Sequence, residues 1–478
     1  MIEIRAYEGR NVAVMGLGRS GQATARALRH GGARVLVWDD APAKREEATA
    51  QGWEVTDLTA LDWRDVACLV WSPGIPHTYP APHPVAKAAR AAGVAPVCDV
   101  ELLMQTRPSA RCIGVTGTNG KSTTTALIAH ILASAGFPVA AGGNLGLPVL
   151  AFPPLEDDGF YVIELSSYQL ELTLSLALDG GVLLNITPDH LGRHGGMAGY
   201  VAAKSRLFDG LKPGGTAVVG ADDDASSALG ARLQERGLNV IPISARPPFG
   251  VHGQPFGVHG TTEGLLVDEA SGAPVADLVP ALALPGRHNA QNAAAAAATL
   301  RALGLAPTLI AAGLQSFPGL AHRQERIAVI DDVRYVNDSK ATNTEAAEKA
   351  LGCYDPQTVY WIAGGQAKEG GITALAPLFP RIRHAFLIGE AAPALARTLE
   401  GKVPFTLCGT LSVAVAQAHT MAVRERRSGA VVLLSPACAS WDQFDSFEHR
   451  GTVFRELVTA LPGQRTGERA GEKEICAS

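Results

Sequence analysis

The 478-residue chain is short of charge of either sign: Asp, Glu, Lys and Arg make up 18% of it, against about a quarter of an ordinary globular protein. With 41 basic and 46 acidic residues the net charge is −5, which gives no overall attraction for nucleic acid or an anionic membrane. Any anionic ligand must be held by local groups. There is no CxxC pair and no disulfide-dense pattern: the seven cysteines stand at 68, 98, 112, 353, 408, 438 and 476, which predicts reduced, mostly buried thiols. No apolar run is long enough to span a bilayer, because the longest uncharged stretch, 122–155, is broken by Gly136, Pro138, Gly142, Gly143, Asn144 and Pro148. The opening MIEIRAYEGR lacks the apolar core of a signal peptide, so a cytoplasmic protein without membrane insertion is expected. The 52 glycines and 30 prolines fall short of the fraction that marks low-complexity chains.

Hydrophobic residues are plentiful, at 47%, and the length predicts about three domains, each with its own core. In the first hundred residues short β-rich runs (NVAVM, RVLVWDD, VACLVWS) alternate with helical ones (QATARALRHG, HPVAKAARAAG), the pattern of a parallel sheet with helices on both faces. We expect α/β architecture with three domains. They are a Rossmann-like domain over 1–107, a central P-loop ATPase-like parallel sheet over 108–319, and a Rossmann-like C-terminal domain over 320–478 whose polar tail starts near 464. The central part carries YVIEL, GVLLNI and TAVVG and an alanine-rich helix from Asn289; the last part carries RYVND, TVYWIAGG, HAFLIG and VVLLSP. PFGVHG occurs twice, at 248–253 and 255–260, and reads as an exposed loop.

Two glycine-rich turns follow strands. GLGRSG sets Gly16, Gly18 and Gly21 in GxGxxG register, with Asp39 and Asp40 after the next strand. It suits a diphosphate at a helix N-terminus with an acid on a ribose. On these residues alone NAD, another nucleotide diphosphate, or a tight turn that binds nothing all stay open. More specific is VTGTNGKSTTT. Here backbone amides over Gly117, Thr118, Asn119 and Gly120 would wrap phosphates, Lys121 would neutralise them, and Ser122 with Thr123 opens the helix, the Ser122 hydroxyl being placed for magnesium. The spacing is a variant, since Val115 stands where strict GxxxxGK needs glycine. Glu164, ending the apolar run YVIEL, should meet a metal or a cation, because an unpaired buried carboxylate costs several kcal/mol. Asp189 and His190 end another strand, where ligands gather in open α/β sheets. By itself His190 reads as a core histidine and Lys204 as a solvated helix lysine.

TGTNGKST, ELSSYQLE, NITPDHLGRH followed by a YxxxK, GRHNAQN, GLAHR, NDSKATN and SPACASWDQF together resemble the ATP-dependent muramyl ligases. Within that family, ELSSYQLE, NDSKATN and SPACASWDQF resemble the branch that adds D-glutamate. The resemblance implies a reaction in which the carboxylate of UDP-N-acetylmuramoyl-L-alanine attacks the γ-phosphate of ATP and the amine of D-glutamate displaces phosphate from the acyl phosphate. It implies ATP and magnesium, small-molecule partners only, and a monomer. It places Lys121, Glu164, His190 and Lys204 at the catalytic centre, with Ser122, Glu164, His190 and a carbamate on Lys204 around magnesium. Asn289, Asn292, Arg323 and Asp338 would contact the nucleotide. Lys340, Thr342, Lys368, Ser440 and Phe447 would hold D-glutamate. Gly16, Leu17, Gly18, Arg19, Ser20, Asp39, Ser72, Gly74, Asn144, Ser166 and Gln169 would hold the UDP-sugar. Two departures stand out: Asp39-Asp40-Ala41 replaces the usual Thr or Arg near the uracil, and GGQAKEG has Gln366 and Ala367 where an aspartate is usual before the lysine. A nicotinamide-dependent dehydrogenase is the reading that GLGRSG alone would support; it leaves TGTNGKST and everything after residue 320 without a role. A P-loop ATPase with no ligase activity would make Lys204 and the D-glutamate residues incidental.

Overall fold

The computed structural model describes residues 1–144, 146–245, 257–261, 264–268, 272–281, 283–284, 286–367 and 371–465. Three sheets account for the strands among the described residues. The first runs in the order Glu54–Val55, Arg34–Trp38, Asn11–Met15, Val66–Trp71, Pro96–Val97, every pair parallel. The chain reverses direction of winding between Asn11–Met15 and Val66–Trp71, so the GLGRSG turn and the Ser72-Pro73-Gly74 turn leave adjacent strands side by side, at the switch point where α/β sheets bind ligands. In the second sheet the strand before the phosphate-type loop, Arg111–Thr116, lies between Leu178–Leu183 and Phe160–Glu164. Parallel register sets Val115 beside Glu164 and Thr116 beside Leu183. The segments after these three strands, beginning at Gly117, Leu165 and Leu184, therefore emerge at one edge. The third sheet runs Glu325–Ile330, Val333–Asn337, Val431–Leu434, Val359–Gly364, Ile382–Ile388, Phe405–Gly409. Its central position goes to Val431–Leu434, so the loops beginning at Asp338, Ser435 and Gly365 sit together.

The helix Arg287–Ala302 shows why sequence dictates this packing. Ala293 through Ala298 are all buried; the small side chains let the helix lie close against its sheet. One compact unit, Met1–Leu282 with Arg287–Phe317, holds the first two sheets, and a second, Ala283–Gly286 with Pro318–Ser478, holds the third. Inside the first unit the two sheets are joined by specific bonds. The Ile2 amide donates to the Leu150 carbonyl (2.9 Å) and that of Cys98 to Leu172 (3.1 Å). The buried Glu101 carboxylate accepts from the Leu174 and Ser175 amides (2.7 and 2.9 Å) and from the Ser175 hydroxyl (2.8 Å).

One expectation changes. The second PFGVHG copy is no loop where it is described: Val258–Gly260 is a strand with Val258 and His259 buried, because it extends the second sheet beside Asn239–Ser244. The first copy lies outside the described residues. Where the polar tail is expected to begin, near 464, the Asp331 amide donates to the Gln464 carbonyl and Arg465 pairs with Ile330 at the sheet edge; residues 466–478 lie outside the described residues. Of the cysteines, Cys68, Cys98, Cys112 and Cys438 are buried and Cys353 and Cys408 half-buried, and no disulfide joins any two of these six; Cys476 lies outside the described residues.

Replacing Glu101 with alanine takes the charged acceptor away from the Leu174 and Ser175 amides, and a hydrogen bond to a charged group contributes about 1.5–3 kcal/mol. Urea unfolding of Glu101→Ala should show a loss of about 2–4 kcal/mol, and a loss under about 0.5 kcal/mol would mean water replaces the carboxylate at no cost.

Candidate functional site

The loop after Arg111–Thr116 is shaped by glycine and fastened by the next strand end. Gly120 adopts a left-handed conformation, φ 86°, and a Cβ there would run into the Asn292 amide oxygen. The Thr118 amide donates to the Asn185 carbonyl (2.9 Å) and the Asn119 amide to Asn185 Oδ1 (2.8 Å). The Thr118 hydroxyl lies 3.2 Å from the Tyr200 hydroxyl and bonds Thr187 through its carbonyl and amide. Behind it a relay runs from Asn185 to Gln291 (3.2 Å) and from Gln291 to Asp222 (2.9 Å). Asn289 and Asn292 bond each other (3.0 Å) one turn apart on the alanine-rich helix, and Thr124 donates to Asn292 (3.2 Å). This brings Gly117, Thr118, Asn119, Gly120, Lys121, Ser122 and Thr123 together with both asparagines in one place.

Two lysines converge on one carbonyl. Lys121 Nζ donates to the Gly117 carbonyl at 3.0 Å and the Thr118 carbonyl at 2.8 Å. Lys204 Nζ donates to the same Gly117 oxygen at 2.8 Å and reaches the Thr116 hydroxyl at 3.5 Å. Lys204 is not a solvated helix lysine; it is 1% exposed, its ammonium 4.7 Å from the Tyr200 ring centre. Burial, reinforced by the charge of Lys121, holds its pKa well below the usual lysine value. A buried ammonium without a carboxylate partner costs several kcal/mol, and losing the proton relieves it.

Glu164 is buried and accepts from the Asn144 side chain (3.0 Å), so its neighbour is an amide rather than a cation. His190 is not in the core: its side chain is 53% exposed, against Asp189 at 3.4 Å. Partial burial lowers its pKa and outweighs Asp189, leaving a neutral imidazole at pH 7. The core histidine is His194, four residues on, which the sequence reading passed over. It bonds Ser167 (2.9 Å) and Glu171 (2.7 Å) and stacks on Tyr168. Glu171 also takes His77 of the first sheet's layer (3.1 Å). Burial opposes ionisation of Glu171, but the bonds from His194 and His77 win and hold it at about 2. Ser166 and Gln169 form a reciprocal cap on the short helix Ser167–Glu171, so part of their hydrogen-bonding capacity serves the fold.

In the first sheet, Gly16 has φ 91°, and a Cβ there would strike the Ser72 side chain. The turn is thus tight against the neighbouring strand end. Gly18 opens to free space, Arg19 begins the helix Arg19–His30 with Ser20 behind it, and Gly74 is exposed. Asp39 spends both oxygens on the chain itself, accepting from the Leu17 amide (2.7 Å) and the Ala41 amide (2.9 Å). A ribose would have to compete for that carboxylate.

The second unit gathers a separate group. Lys340 Nζ lies 3.9 Å over the Phe447 ring, Ser440 is buried, and Thr342 is half-buried on the Lys340 loop. Asp338 is buried, accepts from Ser435 (2.9 Å) and the Gln324 amide (3.2 Å), and burial pushes its pKa up to about 7 against those bonds and the charge of Arg323. Lys368 lies outside the described residues. No cluster of three or more His, Cys, Asp or Glu is preformed among the described residues, and no described helix is long and apolar enough to cross a membrane.

The phosphate-type loop on a mainly parallel sheet, antiparallel only among its last three strands, defines a P-loop-like nucleotide enzyme class, with a Rossmann-type sheet before it. Comparison with known proteins narrows this. Residues 115–300 match the Mur ligase middle domain and 322–438 the Mur ligase glutamate ligase domain. Residues 1–73 match the NAD binding domain of D-isomer specific 2-hydroxyacid dehydrogenases, which fits the GxGxxG turn. UDP-N-acetylmuramoylalanine–D-glutamate ligase of Paramagnetospirillum magneticum is 58% identical over 96% of this chain and 99% of its own. The ligase of that name from Rhodospirillum rubrum is 55% identical over 98% and 99%. In fold, the chain is like UDP-N-acetylmuramate–alanine ligase of Thermotoga maritima, at TM-score 0.57 and 16% identity over 94% of this chain and 99% of that one. The chain belongs to the Mur ligase family, in the branch of the UDP-N-acetylmuramoylalanine–D-glutamate ligases.

The lowered pKa of Lys204 has a sign that can be checked. A base whose pKa falls on folding binds fewer protons folded than unfolded, so it penalises stability below the folded value and the penalty fades as pH climbs toward the ordinary 10.5. In carbon dioxide-free buffer Lys204→Met should unfold at higher urea than the wild type at pH 7, with the gap closing by pH 10. A gap of the opposite sign, or one that ignores pH, would contradict a buried ammonium under strain.

Proposed function

We propose that the protein joins D-glutamate to UDP-N-acetylmuramoyl-L-alanine at the expense of ATP, making an amide bond in a peptidoglycan precursor. The observation that carries this is the coincidence of the Gly117–Lys121–Lys204 phosphate centre with relatives of that name matched along nearly the whole chain. Residues 1–107 take the UDP-sugar, 108–319 ATP, and 320–478 the amino acid; the protein works as a cytoplasmic monomer.

Loop amides from Gly117 to Ser122 cradle the phosphates, and Lys121 leaves its own loop carbonyls to neutralise the γ-phosphate. Asn289, Asn292, Arg323 and Asp338 hold the nucleotide. The acceptor's carboxylate attacks the γ-phosphorus, the bond to the bridging oxygen breaks, and ADP leaves. The amine of D-glutamate then attacks the acyl phosphate; it loses a proton as the tetrahedral intermediate expels phosphate. Such transfer is catalysed mainly by positioning and by charge on the phosphoryl oxygens. The acceptor lies along Gly16, Leu17, Gly18, Arg19, Ser20, Asp39, Ser72, Gly74, Asn144, Ser166 and Gln169. D-glutamate is held by Lys340, Thr342, Lys368, Ser440 and Phe447.

The Ser122 hydroxyl, the buried Glu164 carboxylate and neutral His190 suit a hard divalent cation that keeps waters and phosphate oxygens as its remaining ligands. Magnesium would supply positive charge at the transferring phosphate. A neutral Lys204 amine adds to carbon dioxide, releasing a proton and leaving a carbamate. That turns a repelling cation into an oxygen donor. The UDP group rather than NAD occupies the GLGRSG turn, because the rest of the chain offers no hydride chemistry.

Phosphate release from ATP, measured with the UDP-muramoyl-alanine acceptor and a panel of L- and D-amino acids, should require D-glutamate. Equal release with L-alanine, L-lysine or meso-diaminopimelate would assign a sister reaction. Lys204→Ala should abolish most turnover, with partial recovery in acetate, whereas near-normal turnover would remove Lys204 from the centre. Calorimetry should show the acceptor binding and NAD failing to bind; tight NAD binding with no response to the UDP-sugar would reverse the assignment of the first sheet.

A further inference from the structure

Arg450 is wholly buried, and it forms no ion pair with a carboxylate among the described residues. Buried arginines ordinarily have a carboxylate partner. This one instead spends its guanidinium on two loops. Nε donates to the Ser339 hydroxyl (2.9 Å) and Nη2 to the Ser339 carbonyl (2.9 Å). Nη1 reaches the carbonyls of Cys438 (3.2 Å) and Ala439 (3.3 Å). Burial lowers its pKa, but only to about 10, so the group stays charged at neutral pH.

The segments it ties are those that carry the amino-acid residues. Ser339 precedes Lys340 and Thr342. Its hydroxyl, while accepting from Arg450, donates to the carbonyl of Phe447 (2.8 Å). Cys438 and Ala439 precede Ser440. Ala439 in turn is paired through both of its backbone groups with Gln366 (2.9 and 3.0 Å), on the loop that leads toward Lys368. Arg450 itself sits on the first turn of the helix Phe447–Thr459, whose opening residue faces the Lys340 ammonium. One planar fork thus fixes the spacing of two loops and a helix start, a third loop being held to one of them through the Gln366–Ala439 backbone pair, and the charge of Asp442 acts on the buried guanidinium through space.

We propose that Arg450 is the positioning residue of the amino-acid pocket: it locks the Lys340 and Ser440 loops in register and, through the Gln366–Ala439 backbone pair, the Gln366 loop with them, so that the groups that take D-glutamate keep their spacing. This rests on the reaction proposed above. Lysine keeps the charge but cannot bridge two loops with a rigid fork, and methionine keeps neither.

The test is steady-state kinetics of the full-length protein for all three substrates, with hydroxylamine trapping of the acyl phosphate, a step that needs no D-glutamate. Arg450→Met should raise the KM for D-glutamate at least tenfold and Arg450→Lys by less. The KM values for ATP and the UDP-sugar should stay within about twofold, and trapping should proceed at the wild-type rate. A D-glutamate KM within twofold of wild type in a folded Arg450→Met, or three KM values rising together, would overturn the proposal while leaving the reaction intact. If Arg450→Met does not fold, Ser339→Ala decides: it removes only the hydroxyl between Nε and Phe447. It should raise the D-glutamate KM threefold or more with the others unmoved, and an unmoved D-glutamate KM would overturn the role. A wild-type protein that releases no phosphate in response to D-glutamate would overturn both the reaction and this role.

Discussion

The Gly117 carbonyl oxygen accepts from two ammonium groups, and much of the first unit is arranged so that it can. Lys121 arrives from the helix that the loop itself starts, and Lys204 from the helix Met197–Asp209 on the same sheet. Placing two cations on one carbonyl in a dry setting is unfavourable, and the site contains the means of relief. One lysine is at the mouth of a loop built to receive phosphate. The other is driven toward its neutral form by burial and by its neighbour.

Around that centre the fold does two things. Parallel pairing brings the ends of Arg111–Thr116, Phe160–Glu164 and Leu178–Leu183 to a single edge, so that Lys121, Glu164 and His190 come from three separate strand ends. Secondary bonds then fix the loops: Asn185 clamps Asn119, and the His77–Glu171–His194 chain ties the first sheet's layer to the helix beside the site. The second unit repeats the logic with a different clamp, Arg450, beneath the strand-end loops at Ser339 and Ala439.

Much of this was legible in the sequence, because strands and glycine turns have local causes. The runs NVAVM, RVLVW and VACLVW became the strands expected of them, and the alanine-rich run from Asn289 became the buried helix Arg287–Ala302. The short helix Asp99–Gln105 was not foreseen, its seven residues being too few to show a helical period. Side-chain partners were the harder part. The buried state of Lys204 came only through resemblance, since YVAAKSRLF has the pattern of an ordinary amphipathic helix. His194 and Arg450 gave no local signal: each matters through residues distant in sequence, and only folding puts His194 against Glu171 or Arg450 against Ser339. A free ribose acid at Asp39 was the natural reading of GxGxxG. The structure shows that carboxylate holding its own loop, a use that spacing alone does not reveal.

The claim on which the account turns is that Lys204 is held neutral enough to capture carbon dioxide. Carbon-13 NMR of the protein in labelled bicarbonate, at neutral pH and without nucleotide, asks this directly. The account predicts a carbamate carbonyl resonance present in the wild type and absent from Lys204→Gln. A spectrum of the wild type with no such resonance, or one that keeps it after Lys204→Gln, would contradict it.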